Sequence, residues 1–112
     1  MALGKHFLFD VSVCARVSPE LINHMMTALV SQLGLTELHR HMFTHPTPQP
    51  IPGCSCVVIL ADSHIAAHSW PEEDAICIDL FTCGTPPNLK ILKGVIVDYT
   101  GGKPKASVVR RG

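Results

Sequence analysis

Three groups of polar residues have the types and spacing to do chemistry. The densest is "LADSHIAAHSWPEED", residues 60 to 74, directly after an apolar run. It sets Asp62, Ser63 and His64 side by side, with His68 close behind. A serine among histidines suits nucleophilic catalysis, in which a hydroxyl attacks while an imidazole carries its proton. An ordinary serine hydrolase is not indicated. There is no G-x-S-x-G elbow, and spacing alone assigns no nucleophile, base and orienter. The second group is Cys83 in "FTCG", just before the turn "TPPN". A thiol there is reactive only where its surroundings stabilise the thiolate, and is otherwise a strand-end cysteine. The third is His39, His41 and His45, spaced H-x-H-x-x-x-H. Imidazoles can ligate a metal, but no matched cysteine or carboxylate set accompanies these, so no metal site is expected.

Composition narrows the classes that could use such residues. A chain of 112 residues predicts a single domain, 1–112, with a modest core that oligomerisation would help. Hydrophobic residues make up 46% and charged residues 16%, which argues for a globular protein over a disordered one. Nine basic residues balance nine acidic ones, leaving no electrostatic reason to expect nucleic acid or a charged membrane surface as partner. No apolar run approaches the ~20 residues of a membrane span, and the opening residues lack a secretory signal pattern. The cytoplasm is the expectation. The five cysteines are odd in number and include no CxxC, so reduced thiols are expected, most of them filling core positions.

The elements that must position these groups follow from periodicity and breakers. "HFLFDVSVC" (residues 6 to 14) reads as a strand. "SPELINHMMTALVSQLG" reads as a helix with Ser18 as N-cap, Pro19 in the first helical position and Gly34 just past the end. Leu21, Ile22, Met25, Met26, Leu29, Val30 and Leu33 form its apolar face. "LTELHRHMF" predicts a second strand, and "THPTPQPIPG" a proline-bound loop. "CSCVVILA" is apolar on both faces and predicts a central strand. "HIAAHSW" predicts another, with His64, Ala66, His68 and Trp70 on one face. "AICIDLFTC" follows, with Cys77, Asp79, Phe81 and Cys83 sharing a face. "NLKILKGVIVDY" predicts a helix weakened by Gly94, and "KASVVRR" an edge strand. The order β-α-β-β-β-β-α-β implies an α/β (α+β) two-layer sandwich, a mostly antiparallel sheet with two helices on one face. The other face needs cover, which a second subunit can supply.

Taken together, the motifs are specific where each alone is weak. "ADSHIAAHSWPEE…AICIDLFTCG" resembles the core motif of the bacterial S-adenosylmethionine decarboxylases, small pyruvoyl-dependent enzymes whose motif runs roughly E-S-H, H-T-W-P-E and D-x-F-T-C-G. The matching residues are Ser63-His64, His68 to Glu72 and Asp79 to Gly84. "LGKHFLFDVSVC" resembles the family's opening strand. "GCSCVVIL" resembles its G-x-S-G-V-V-V-I segment, with Ser55 on the second serine. The resemblance covers most of residues 3 to 84.

That resemblance implies a proenzyme. The Ser63 hydroxyl attacks the Asp62 carbonyl, and the peptide bond becomes an ester. Loss of the Ser63 α-proton breaks the ester, and hydrolysis of the resulting dehydroalanine releases ammonia. Residues 1–62 and 63–112 become a β chain and an α chain, the latter opening on a covalent pyruvoyl group. Ser55 and His68 assist the processing. The pyruvoyl ketone forms a Schiff base with a substrate amine and takes up the electrons released as CO2 leaves. Cys83 matches the proton donor, and thiols exchange protons near working pH. Glu72 matches the acidic residue that holds the substrate's ribose. The family also implies a homodimer of cleaved protomers with paired sheets, making the aminopropyl donor for spermidine and other polyamines.

Three positions depart from the family pattern. Asp62 replaces glutamate; since the attack is on the backbone carbonyl, cleavage is still expected. Cys56 replaces a glycine, where a side chain threatens to crowd the backbone. The gapless match puts Gln49 where an aromatic residue stacks on adenine, and Phe43 would take that place only with a shifted alignment. Loss of that stacking partner bears on the nucleoside part of the substrate and leaves the pyruvoyl chemistry untouched; the family resemblance makes S-adenosylmethionine the leading substrate. Ornithine or arginine, decarboxylated on the same scaffold, is the alternative, and an unprocessed, non-catalytic binding subunit is the second alternative.

Overall fold

A computed structural model of the chain describes residues 3–14, 17–46 and 50–112. Its elements run in chain order as β1 (Gly4–Ser12), α1 (Pro19–Leu33), β2 (Glu37–His45), β3 (Gly53–Leu60), β4 (Ser63–Trp70), a 3-10 turn (Pro71–Glu73), β5 (Ala75–Cys83), α2 (Leu89–Thr100) and β6 (Lys103–Arg111). The six strands form one sheet in the order β2-β3-β4-β5-β1-β6. Every neighbouring pair is antiparallel. Short connections explain β2 to β5, which lie side by side in chain order.

Strand alternation divides the sheet into two unlike faces. Phe7, Phe9, Val11, Cys54, Cys56, Val58, Leu60, Ile65, Ala67, Ile76, Ile78 and Leu80 are buried beneath the helices. They pack with Ile22, Met25, Met26 and Leu29 of α1 and Leu92 and Ile96 of α2 in one core. The helix ends are set by their caps. The Ser18 side chain accepts from the Leu21 N–H at 3.2 Å, Pro19 opens α1, and Gly34 closes it at φ 64°. Asn88 caps α2 through the N–H groups of Lys90 and Ile91. Gly94 is exposed within α2 and does not break it. Arg40 ties α1 to β2, donating to the Asn23 carbonyl, Asn23 Oδ1 and Thr27 Oγ1 while pairing with Glu37.

Among the described residues the opposite face carries no helix. Phe43, Val57, Ile59, Trp70 and Val109 stand exposed there, with Ile59 45% exposed. This is the uncovered face that the two-sided apolar "CVVIL" predicts.

Several details differ from the sequence reading. The strand β1 stops at Ser12, before exposed Cys14. Thr44 and His45 pair with Cys54 and Gly53 and extend the ladder, so the proline segment narrows to 46–52. Asp74 closes the 3-10 turn in the left-handed region at φ 51°. Cys56 does not crowd the backbone: its side chain is fully buried in the core. The glycine needed in that segment is Gly53, where a Cβ would fall 2.7 Å from the Ser69 carbonyl oxygen.

Candidate active site

Ser63 opens β4 after a two-residue connection, Ala61 and Asp62. Asp62 holds φ 58°, one of two non-glycine residues with positive φ among those described. Aspartate tolerates the left-handed region better than most residues, at a cost of roughly 1–2 kcal/mol. The Asp62–Ser63 bond therefore follows a backbone position under strain. Ser63 is only 6% exposed.

Pairing of β4 with β5 sets His64 opposite Phe81 and so brings Cys83 to the same rim. Ser63 Oγ lies 3.9 Å from Cys83 Sγ. Cys83 also lines an open cavity of about 220 Å3 with Gln32, Leu33, Leu35, Thr82, Thr85 and Pro87. Beside it Thr82 is buried, and its hydroxyl has no hydrogen-bond partner among the described residues. Nearby, the His64 ring stacks on Phe81, and His6 meets both edge-on.

A second cluster lies on the open face toward the other end of the strands. Ser55 of β3 faces His68 of β4. Ser55 Oγ is 2.8 Å from His68 Nδ1 and 2.9 Å from His45 Nε2. Phe43, 55% exposed, is the cross-strand neighbour of Ser55 and meets the His45 ring edge-on. Trp70 lies against His68, with ring centroids 6.0 Å apart. Glu72 follows on the 3-10 turn and is exposed.

The sequence-predicted residues thus fall into two groups. Asp62, Ser63 and Cys83 share one rim, while Ser55, His68, Phe43 and Glu72 gather toward the opposite one. Five strand residues span about 17 Å, so His68 does not reach Ser63 of its own chain. Gln49 lies outside the described residues. His45 is the member that sequence reading placed elsewhere, as a possible metal ligand. The sequence reading set His45 in the loop after the second strand, so neither its face nor the β2–β3 register that joins it to Ser55 and His68 was legible. Among the described residues no three histidine, cysteine, aspartate or glutamate side chains are grouped to hold a metal ion.

Of the remaining thiols, Cys54 and Cys56 fill core positions, Cys77 is partly buried and Cys14 is exposed. Burial pushes the Cys54 thiol up, opposed by its contact with Ser69, and burial likewise pushes Cys56 up. Cys77 is raised by burial first and then by its hydrogen bond to Asp10.

A six-stranded antiparallel sheet with two helices on one face defines a small two-layer α/β sandwich of the adenosylmethionine decarboxylase type. The chain belongs to the S-adenosylmethionine decarboxylase family, whose model matches residues 5–112. It is 32% identical over 110 residues to the S-adenosylmethionine decarboxylase proenzyme of Picrophilus torridus, covering 88% of this chain and 82% of that one. It is 30% identical over 115 residues to the proenzyme of Syntrophomonas wolfei, covering 99% and 88%. The crystal structure of the adenosylmethionine decarboxylase from Aquifex aeolicus superposes with a TM-score of 0.78 at 27% identity, covering 99% of this chain and 92% of that one. Among the described residues no helix is long and apolar enough to cross a membrane.

Proposed function

We propose that this chain is a pyruvoyl-dependent S-adenosylmethionine decarboxylase that cleaves itself between Asp62 and Ser63. The observation that carries the reading is the approach of Ser63 Oγ to Cys83 Sγ at 3.9 Å. It sets the pyruvoyl precursor beside a proton-bearing group, where family membership calls for both. The left-handed Asp62 favours the first step, because strain before the scissile bond is relieved as the amide becomes an ester. Near-complete burial of Ser63 limits competing attack by water.

A pyruvoyl group at position 63 supplies an electron sink for the electrons released when a substrate amine loses CO2. Cys83 holds a proton on Sγ for return to the substrate carbon. Phe43 and Trp70 offer exposed aromatic faces to adenine, and Glu72 an exposed carboxylate to ribose hydroxyls. Those aromatic faces favour S-adenosylmethionine over a bare basic amino acid.

The separation of the two groups of residues supports a homodimer. A two-fold axis between the sheets, running across the strands, lays the rim of one protomer over the opposite end of its partner. Ser55, His68, Phe43 and Glu72 of one chain then complete the site at Ser63 of the other, and Val57 and Ile59 lose their exposure. The reading places the protein in the cytoplasm.

Intact mass of the purified, denatured protein tests the proposal. The expected result is two fragments, with the one from residue 63 lighter than its encoded sequence by one ammonia. CO2 release should then follow addition of S-adenosylmethionine and not ornithine or arginine. A single uncleaved chain would favour the non-catalytic subunit, and release from a basic amino acid would change the substrate alone.

A further inference from the structure

We infer that His45 is a positioning residue that sets the tautomer of His68. The inference rests on the self-cleavage proposed above, and takes His68 as the base that accepts the proton from the Ser63 α-carbon of the partner chain. The observation that carries it is the chain of contacts from His45 Nε2 to Ser55 Oγ (2.9 Å) and on to His68 Nδ1 (2.8 Å). It crosses three adjacent strands on the open face.

A serine hydroxyl has one proton to donate and two lone pairs to accept with. Ser55 therefore donates to only one of its two imidazole neighbours. His68 uses Nδ1 on Ser55, and Nε2 makes no hydrogen bond among the described residues, so Nε2 is the nitrogen left to act as base. A neutral imidazole carries one proton. For Nε2 to offer a lone pair, that proton must sit on Nδ1 and be donated to Ser55 Oγ. The Ser55 proton must then go elsewhere, and His45 Nε2 is the acceptor in reach. The working order is His68 Nδ1–H to Ser55 Oγ, then Ser55 O–H to His45 Nε2.

Removing His45 reverses this order. The Ser55 hydroxyl then has His68 Nδ1 as its acceptor, and the His68 proton moves to Nε2, where it blocks the base. In the working form, the α-proton passes to Nε2 while its bonding pair forms the Cα=Cβ double bond of residue 63. The Cβ–Oγ bond breaks in the same elimination, and the Asp62 carboxylate leaves. His45 hydrogen-bonds Ser55 and makes no contact with Ser63 of its own chain. It acts only through the direction of the Ser55 proton, as a partner that orients a histidine.

The test is nitrogen NMR of the histidine rings in full-length, uncleavable Ser63→Ala protein. The expected signature is His68 protonated at Nδ1 with a free Nε2. Adding His45→Phe, close in shape and beside Phe43, should move that proton to Nε2. His45→Gln, whose carbonyl can still accept from Ser55, should leave it on Nδ1. With Ser63 intact, His45→Phe should slow cleavage by about 10- to 100-fold, by analogy with the loss of partners that orient metal-bound histidines, and His45→Gln should restore most of the rate. A proton on Nε2 of His68 in the Ser63→Ala parent, or no change with His45→Phe, overturns the inference. A wild-type chain that never cleaves overturns the processing reading instead, and the ring tautomers still decide the role of His45.

Discussion

Ser63 Oγ and Cys83 Sγ stand 3.9 Å apart although twenty positions separate them in the chain. The register that sets His64 against Phe81 creates this proximity, because it brings the start of β4 to the end of β5. A shift of one residue in that ladder would turn each β5 side chain to the other face and take Cys83 away from the rim. On the proposed mechanism, the β4–β5 pairing is therefore a functional element as well as a structural one.

Ser63→Ala removes the hydroxyl that attacks the Asp62 carbonyl in the proposed cleavage. The expected product is one uncleaved chain, folded as before, because alanine fits the nearly buried position. Two fragments by mass spectrometry would remove Ser63 from the processing step.

Cys83→Ala separates processing from turnover. Ser63, Ser55 and His68 remain, so the chain should still cleave. Without a proton at Sγ the substrate carbon is reprotonated slowly, and turnover should fall by roughly 10²- to 10⁴-fold, the range for one general acid. Quantified fragments and CO2 release from the same preparation distinguish the two steps. Wild-type turnover would assign the proton to another group.

Much of the architecture was legible because local chemistry marks it. Ser18, Pro19 and Gly34 state both ends of α1, and alternation in 64–70 and 75–83 states which side chains share a face. The apolar "CVVIL" announced the uncovered face. What could not be read depends on contacts distant in sequence. Nothing local shows that His45 pairs with Gly53, since the proline segment between them reads only as a loop. For the same reason its contact with Ser55 stayed hidden. The motif also implied that Ser63 and His68 act on one bond without showing that strand rise holds them apart within one chain.

Ser69 is a stability determinant that the motif does not explain. It is buried, and its Oγ accepts from the Cys54 N–H at 3.0 Å. Ser69→Ala leaves that amide without its side-chain partner. Urea unfolding should show a loss of about 1–3 kcal/mol, and an unchanged midpoint would mean another acceptor takes the amide.

Cys54 and Cys56 make stability sensitive to alkali. Burial raises both thiols above the ordinary value of 9.0. An acid whose folded pKa is raised binds its proton more tightly in the folded state. Its contribution is complete below the unfolded value and is lost as pH rises through the folded one. The urea midpoint should therefore fall as pH is raised beyond 9.0, and less steeply for Cys56→Ala. Equal slopes would assign the loss to other groups.

The dimer predicts complementation between two inactive chains. In a homodimer of His68→Ala, each Ser63 faces a partner that lacks the base, so cleavage should stop or slow by roughly 10²- to 10⁴-fold. A homodimer of Ser63→Ala has the base but no nucleophile. Co-expression creates mixed dimers in which the His68→Ala chain presents Ser63 to an intact His68 of the Ser63→Ala chain. That site should cleave, and the fragments should come only from the His68→Ala chain, identified by mass. A His68 acting within its own chain cannot produce this result, since neither chain then holds a complete set. The proposed interface would bury Ile59, now 45% exposed, against the partner sheet. Ile59→Glu places a charge there, so sedimentation should show monomers, and the monomers should remain uncleaved because their Ser63 has lost the partner's His68. Cleaved Ile59→Glu monomers would show that one chain suffices.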